Sequence, residues 1–289
     1  MLVLIEHINF SMLPLNMEWA DCFYLKGLGC MRDSRSTRSI HANLGLSQFH
    51  LTPQGSVNQL IHGRIGLFVP SLTQLKVQLD SITSELQGTC FQYGLEKIPA
   101  SLPWPYAVEE TGMEIKSPNG NVFHAFQTPD GYADAAKGRG RHPTAPSFGD
   151  GVFLIELYVP MGTLPGIARF YTQYFDTVPV VTDASCTVPC GELQFLNFVE
   201  TNQVIPPYSG YHICLYVDDI QAAYTRVSND DLHFTNPLFS DKCSTLEEVQ
   251  EGQQFRVLNV VDPLTKKTLF QLEHEVRSLS HERCPLGKK

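Results

Sequence analysis

The chain repeats itself with almost no residue identity to mark the repeat. Shifted by 147 positions, Phe23-Tyr24 falls on Phe170-Tyr171, His7 on Leu154, His50 on Asn197 and His124 on Gln271. With one further residue, Arg64 falls on His212. A set of four strand positions thus recurs in two halves at nearly constant spacing. Each half must therefore build the same kind of surface from the same order of elements. The copies differ in chemistry: three of the four positions are histidine in the first half and one in the second.

Period-2 and period-3.6 patterning resolves the halves into four strand–helix–strands modules. In the first, a strand over residues 2–11 precedes a helix over 17–26, whose Trp19, Ala20, Phe23 and Tyr24 fall at helical spacing. Strands over 39–51 follow. The second runs from a strand over 63–69 into a helix over 72–86 with Ser71 as N-cap. It ends in a hairpin, 113–116 with 121–126, turning at Asn119-Gly120. The third predicts strands over 152–159 and 191–199 around a helix over 164–174. The fourth predicts a strand over 211–217, a helix over 220–227, and a hairpin of 254–261 with 268–274.

A small curved sheet with a helix on one face leaves its other face bare, and a second copy covers it. The pattern predicts an α+β chain of four βαβββ modules paired into two domains, residues 1–130 and 151–276. The Gly-, Pro- and Ala-rich stretch 131–150 reads as the linker and 277–289 as a polar, loose tail.

Net charge is −9 and the pI about 5.5. That balance argues against nucleic acid as partner. The basic cluster Lys137-Gly-Arg139-Gly-Arg141-His142 sits among glycines and prolines and reads as solvated linker. The eight cysteines form no CxxC pair and read as reduced thiols; Cys186 and Cys190 leave a disulfide or half a metal site open. The start, Met1-Leu-Val-Leu-Ile-Glu-His7, reads as a first strand rather than a targeting peptide, and no stretch is apolar enough for a membrane helix. These features predict a soluble cytoplasmic monomer or homodimer.

The strand His212-Ile-Cys-Leu-Tyr-Val-Asp-Asp-Ile220, its counterpart Arg64-Ile-Gly-Leu-Phe-Val-Pro-Ser-Leu72, the helix end Phe23-Tyr-Leu-Lys-Gly-Leu-Gly29 and the hairpin Pro118-Asn-Gly-Asn-Val-Phe-His124 come in matching order. Together they resemble the vicinal oxygen chelate superfamily, which includes glyoxalase I, bleomycin-resistance proteins and extradiol dioxygenases. Asn43-Leu-Gly-Leu-Ser-Gln-Phe-His-Leu51 and Leu269-Phe-Gln-Leu-Glu-His-Glu-Val-Arg-Ser278 resemble an uncharacterised two-domain group within it. The resemblance covers about residues 1–276 and implies fold more strongly than function.

In the metal-using members of that superfamily, ligands come from the first and last strands of paired modules. Carried over, the positions in the first half are His7, His50, Arg64 and His124. The resemblance thus implies a divalent metal (Zn²⁺, Ni²⁺, Mn²⁺ or Fe²⁺) held by His7, His50 and His124. Arg64 cannot ligate, because a guanidinium stays protonated; it suits a substrate carboxylate or phosphate. Gln48 and Asn9 share faces with His50 and His7 and are candidate substrate contacts. In the second half Leu154 and Asn197 are poor ligands, but Glu156, His212 and Glu273 form a shifted alternative set. His274 should face away from Glu273 and Glu275 toward surface groups, and Glu275 with Arg277 reads as a minor surface ion pair.

Each histidine taken alone reads first as a hydrogen-bonded, half-buried strand residue, and it is the coincidence of three that raises the functional reading. The leading expectation is a metal-dependent lyase or dioxygenase acting on a small oxygen-rich, anionic molecule. The rivals are a non-catalytic small-molecule binder, which Phe68 and Phe126 would suit, and a scaffold with degraded sites.

Overall fold

The computed structural model describes residues 1–97, 111–136, 146–240 and 243–286. The basic run 137–142 and part of the expected linker lie outside the described residues. Contacts divide the chain into two compact units. One is Ile8–Glu156; the other joins Met1–His7 to Leu157–Lys289.

Strand β1 (Leu2–Ser11) belongs by its first residues to one unit and by its last to the other. The Ile8–Glu156 unit continues with α1 (Met17–Asp21), prolonged by a π-turn over Cys22–Gly27, then β2 (Met31–Arg32), β3 (Ile40–Leu44) and β4 (Ser47–Thr52). Next come β5 (Gly63–Val69), α2 (Leu72–Ile82), β6 (Gln92–Lys97), β7 (Thr111–Lys116) and β8 (Val122–Gln127). A short α3 (Tyr132–Ala136) and the start of β9 (Gly151–Pro160) complete it. Its strands run β1-β4-β3-β2 and β9-β5-β8-β7-β6.

Helix α2 starts where expected but ends at Ile82, short of the expected 86. The Ser71 hydroxyl accepts from the Gln74 amide, and Leu75, Leu79 and Ile82 bury one face at helical spacing. Part of the stretch expected as linker is instead packed: Tyr132 on α3 is fully buried against Phe68, ring centroids 4.7 Å apart. An aromatic there gains more by covering Phe68 than by facing water.

The second unit holds the rest of β9, α4 (Leu164–Phe175), β10 (Val180–Val181), β11 (Ser185–Pro189) and β12 (Phe195–Thr201). It continues with β13 (His212–Val217), α5 (Ile220–Ser228), α6 (Leu246–Gly252), β14 (Gln254–Val261) and β15 (Thr268–Ser278). Its strands run β10-β11-β12-β9 and β14-β15-β13-β1. Helix α4 buries Ile167, Phe170, Tyr171, Tyr174 and Phe175 and stops at Asp176, which adopts the left-handed conformation.

All four modules set their first strand beside their last: β1 by β4, β5 by β8, β9 by β12, β13 by β15. The β5–β8 and β13–β15 pairs are parallel. The fourth module departs from the others. Helix α6 stands in its connection, and the bridge between His233 and Val257 replaces one middle strand.

Three local expectations change. His274 faces away from Glu273 and Glu275 as parity requires, but it is 0% exposed, with the Tyr171 hydroxyl 2.7 Å from Nε2 and Phe175 stacked 5.8 Å away. A sheet covered on both faces leaves no surface for it. The Glu275–Arg277 pair forms, but both partners are buried. Nor is the tail loose over residues 279–286: Cys284 and Leu286 pack on Leu4, Cys214 and Tyr216. All eight cysteines are free, Cys186 and Cys190 included.

Candidate metal centre

First and last strands that lie side by side bring their inward side chains together. In the unit of Met1–His7 and Leu157–Lys289, β1 supplies His7, β13 supplies His212 and β15 supplies Glu275. Their exposures are 1%, 2% and 2%. His7 Nε2 lies 3.4 Å from His212 Nε2 and 3.5 Å from Glu275 Oε2, and His212 Nε2 lies 3.1 Å from that same oxygen. A cation about 2.1 Å from each donor sets donor–donor edges of about 3.0–3.4 Å. The three atoms meet that requirement within about 0.1 Å. The set is two imidazoles and one carboxylate.

The protonation states suit ligation. Glu6 Oε2 lies 2.7 Å from His7 Nδ1 and accepts its proton, which turns the Nε2 lone pair toward the cluster. Burial lowers the His212 pKa to about 4, against the opposing pull of Glu275, so this ring is neutral near pH 7. Burial alone would raise the Glu275 pKa. The charges of Arg277 and Arg256 outweigh that penalty and hold it well below the usual carboxylate range.

Around this core Arg256 donates to Glu273 Oε1 at 2.6 Å and to Glu275 Oε2 at 3.1 Å. Arg277 pairs with Glu275 Oε1, and its Nη1 lies 3.4 Å from Glu6 Oε2. Asn236 donates to Glu273 Oε2 at 2.8 Å. The Phe239 ring covers the Arg256 guanidinium at 4.4 Å and meets the His212 ring edge-on at 5.2 Å. In formal charge, the carboxylates of Glu6, Glu273 and Glu275 outnumber the guanidiniums of Arg256 and Arg277 by one, a balance that favours a cation.

The other residues singled out from sequence lie elsewhere. His50 stacks on His41 with ring centroids 3.8 Å apart, and its Nε2 donates to Gln48 Oε1 at 2.5 Å. Gln48 in turn donates to Asn43 Oδ1 at 2.6 Å. Asn9 is buried on β1. His124 Nε2 lies 3.2 Å from Glu114 Oε2, and Arg64 Nε lies 3.6 Å from Glu156 Oε1. Glu273 shares the face of Glu275, but Arg256 and Asn236 occupy its carboxylate. Among the described residues, the three-residue clusters able to hold a metal are Glu6–His7–Cys214, His7–His212–Glu275 and Glu96–Glu114–His124; His50, Glu156 and Glu273 are in none of them.

Sequence comparison adds nothing to this picture: no protein-family model and no curated protein matches the chain. Structure comparison does. A Bacillus subtilis protein proposed to be a dioxygenase superposes with a TM-score of 0.57 at 12% identity, over 100% of this chain and 91% of that one. Glyoxalase I from Zea mays superposes with a TM-score of 0.53 at 12% identity, over 95% and 92%. A mutant form of the same Zea mays enzyme gives a TM-score of 0.55, also at 12% identity, over 94% and 92%. The chain has the α+β fold of the vicinal oxygen chelate superfamily, in its two-domain form. Among the described residues no helix is long and apolar enough to cross a membrane.

Proposed function

We propose that the chain is a metal-dependent enzyme acting on a small molecule with two neighbouring oxygens, with His7, His212 and Glu275 as the metal ligands. The observation that carries this reading is the convergence of two Nε2 atoms and one carboxylate oxygen at ligand–ligand distances. Two histidines and one carboxylate suit Fe²⁺ first, and Mn²⁺, Ni²⁺ or Zn²⁺ next. When bound, such an ion supplies a Lewis-acid centre able to hold and polarise two adjacent substrate oxygens.

The protein's own groups do the rest. Glu6 fixes the tautomer and orientation of His7. Arg256 and Arg277 keep Glu275 ionised. Burial of all three donors keeps water from competing for the substrate oxygens. The dioxygenase and glyoxalase I folds found by superposition agree with this reading.

One rival has a specific observation in its favour: both Glu275 oxygens meet guanidinium groups. On that view the cluster is an ion-pair network that only ties β1, β13 and β15 together. Metal content separates the two. Protein purified without chelators should carry close to one Fe²⁺-type ion per chain at this site. His212→Ala and Glu275→Gln each remove a ligand outright and should lower its affinity by at least about a hundredfold, the upper end of what loss of a ligand's outer hydrogen-bond partner costs. Unchanged metal content in both variants would sink the metalloenzyme reading.

A further inference from the structure

Within Ile8–Glu156 a different cluster crosses three adjacent strands. The register pairs Gly94 of β6 with Glu114 of β7, and Glu114 with His124 of β8. Glu96, two residues beyond Gly94, lies on the same face of the sheet. From this geometry we infer that Glu96, Glu114 and His124 form a second divalent-cation site, distinct from the His7–His212–Glu275 centre.

The donor atoms of the three lie within 4.8 Å of one another. His124 Nε2 and Glu114 Oε2, 3.2 Å apart, already have the spacing of two ligands about 2.1 Å from a common ion. Glu96 is exposed on the edge strand, so its side chain can close the remaining gap by rotation at little cost. His124 is buried and anchored by β8 between two neighbours, so one ligand is fixed before any ion arrives. Burial keeps this imidazole neutral near pH 7, with Arg64 adding to the effect and Glu114 opposing it. A cavity of about 310 Å³, lined by Gln92 through Glu96 and by Glu114, gives an ion and its waters a way in.

One imidazole and two carboxylates suit a first-row dication between Mn²⁺ and Zn²⁺, and provide too few oxygens for Ca²⁺. Charges on an edge strand also discourage sheet-to-sheet association. That role asks nothing of a buried histidine two strands inward.

The test is a titration of metal-free, full-length chain with Mn²⁺, following the paramagnetic signal of the free ion. Wild type should bind an ion that Glu96→Gln and Glu114→Gln each bind at least tenfold more weakly, with unaltered circular dichroism. His212→Ala should retain that ion. Because Glu96 is exposed, its substitution cannot act by unfolding the chain. If only the His7–His212–Glu275 reading fails, wild type binds a single Mn²⁺, still weakened by Glu114→Gln. Equal Mn²⁺ number and affinity in wild type, Glu96→Gln and Glu114→Gln would overturn the inference.

Discussion

Asp262 illustrates how a single carboxylate can be tied into the fold. The Arg169 guanidinium grips it by both oxygens, at 2.8 and 2.9 Å, and the Leu264 amide and Thr265 hydroxyl donate to it as well. Above all the Arg169 hydrogen bonds hold its pKa below the ordinary 3.8. A carboxylate depressed on folding contributes stability above its unfolded pKa and loses it as pH falls through the folded value. Arg169 is half-exposed, so the contribution is discounted to about 1 kcal/mol. Asp262→Asn should therefore melt below wild type at pH 6, and the two melting curves should converge as pH drops below 4. A gap that stays constant across that range would refute the ionic origin.

At the same scale lies the reason the candidate metal centre is only half legible in the sequence. His7 and His212 both stood out in the sequence, but the constant offset assigned them to separate copies. The offset places Gln271, not Glu275, at the position of His124. The sheet registers pair Gly66 with His124 and Cys214 with Glu275. The fourth module thus carries three more residues between these strands than the second. Gln271 falls at an exposed position and Glu275 at the inward one. Alternation alone could not choose between Glu273 and Glu275, since both share one face.

Among the elements, helices with a cap and a full apolar stripe were readable: Ser71 opens α2 and Asp219 opens α5, each accepting the backbone hydrogen bond expected of it. Strands β2, β6 and β10 were not. They are short or almost wholly exposed, so no period-2 contrast marks them. Helix α6 is seven residues long with only Val249 buried, so no apolar stripe marks it, although Thr245 and Glu248 make a capping box. Turns between middle strands carry a constraint invisible in the pattern. Gly191 has φ +80, and a Cβ there would lie 2.1 Å from the Val3 carbonyl oxygen. Gly191→Ala must either push β1 away or strain the loop, and should cost at least about 2 kcal/mol. Gly94, where a Cβ meets nothing within 4 Å, is the matched control. Denaturant titration should find Gly94→Ala near wild type and Gly191→Ala clearly lower; equal midpoints would contradict the close-approach argument.

For the whole molecule, the four-module order follows from sequence because each module must bury the same faces. The allocation of β1 does not, since it depends on which sheet edge the first residues reach. Met1–His7 group with Leu157–Lys289 rather than with the residues that follow them. In that unit Leu4 packs with Cys214 and Tyr216, Ile5 exchanges backbone hydrogen bonds with the Gln194 amide at 2.8 and 2.9 Å, and His7 meets His212. A fragment starting at Gly151 would expose β13 along one side and lose the burial of Leu2, Leu4 and Ile5. At about 1.5–3 kcal/mol for each such side chain, the loss approaches the 5–15 kcal/mol that stabilises a typical domain. The fragment 151–289 should therefore melt without a cooperative transition. Joining residues 1–12 to it through a flexible Gly/Ser linker should restore a sigmoidal melt, because the linker returns β1 to β13 at high effective concentration. A cooperative melt for 151–289 alone, at the same midpoint as the linked form, would mean that β1 contributes nothing to this unit's stability.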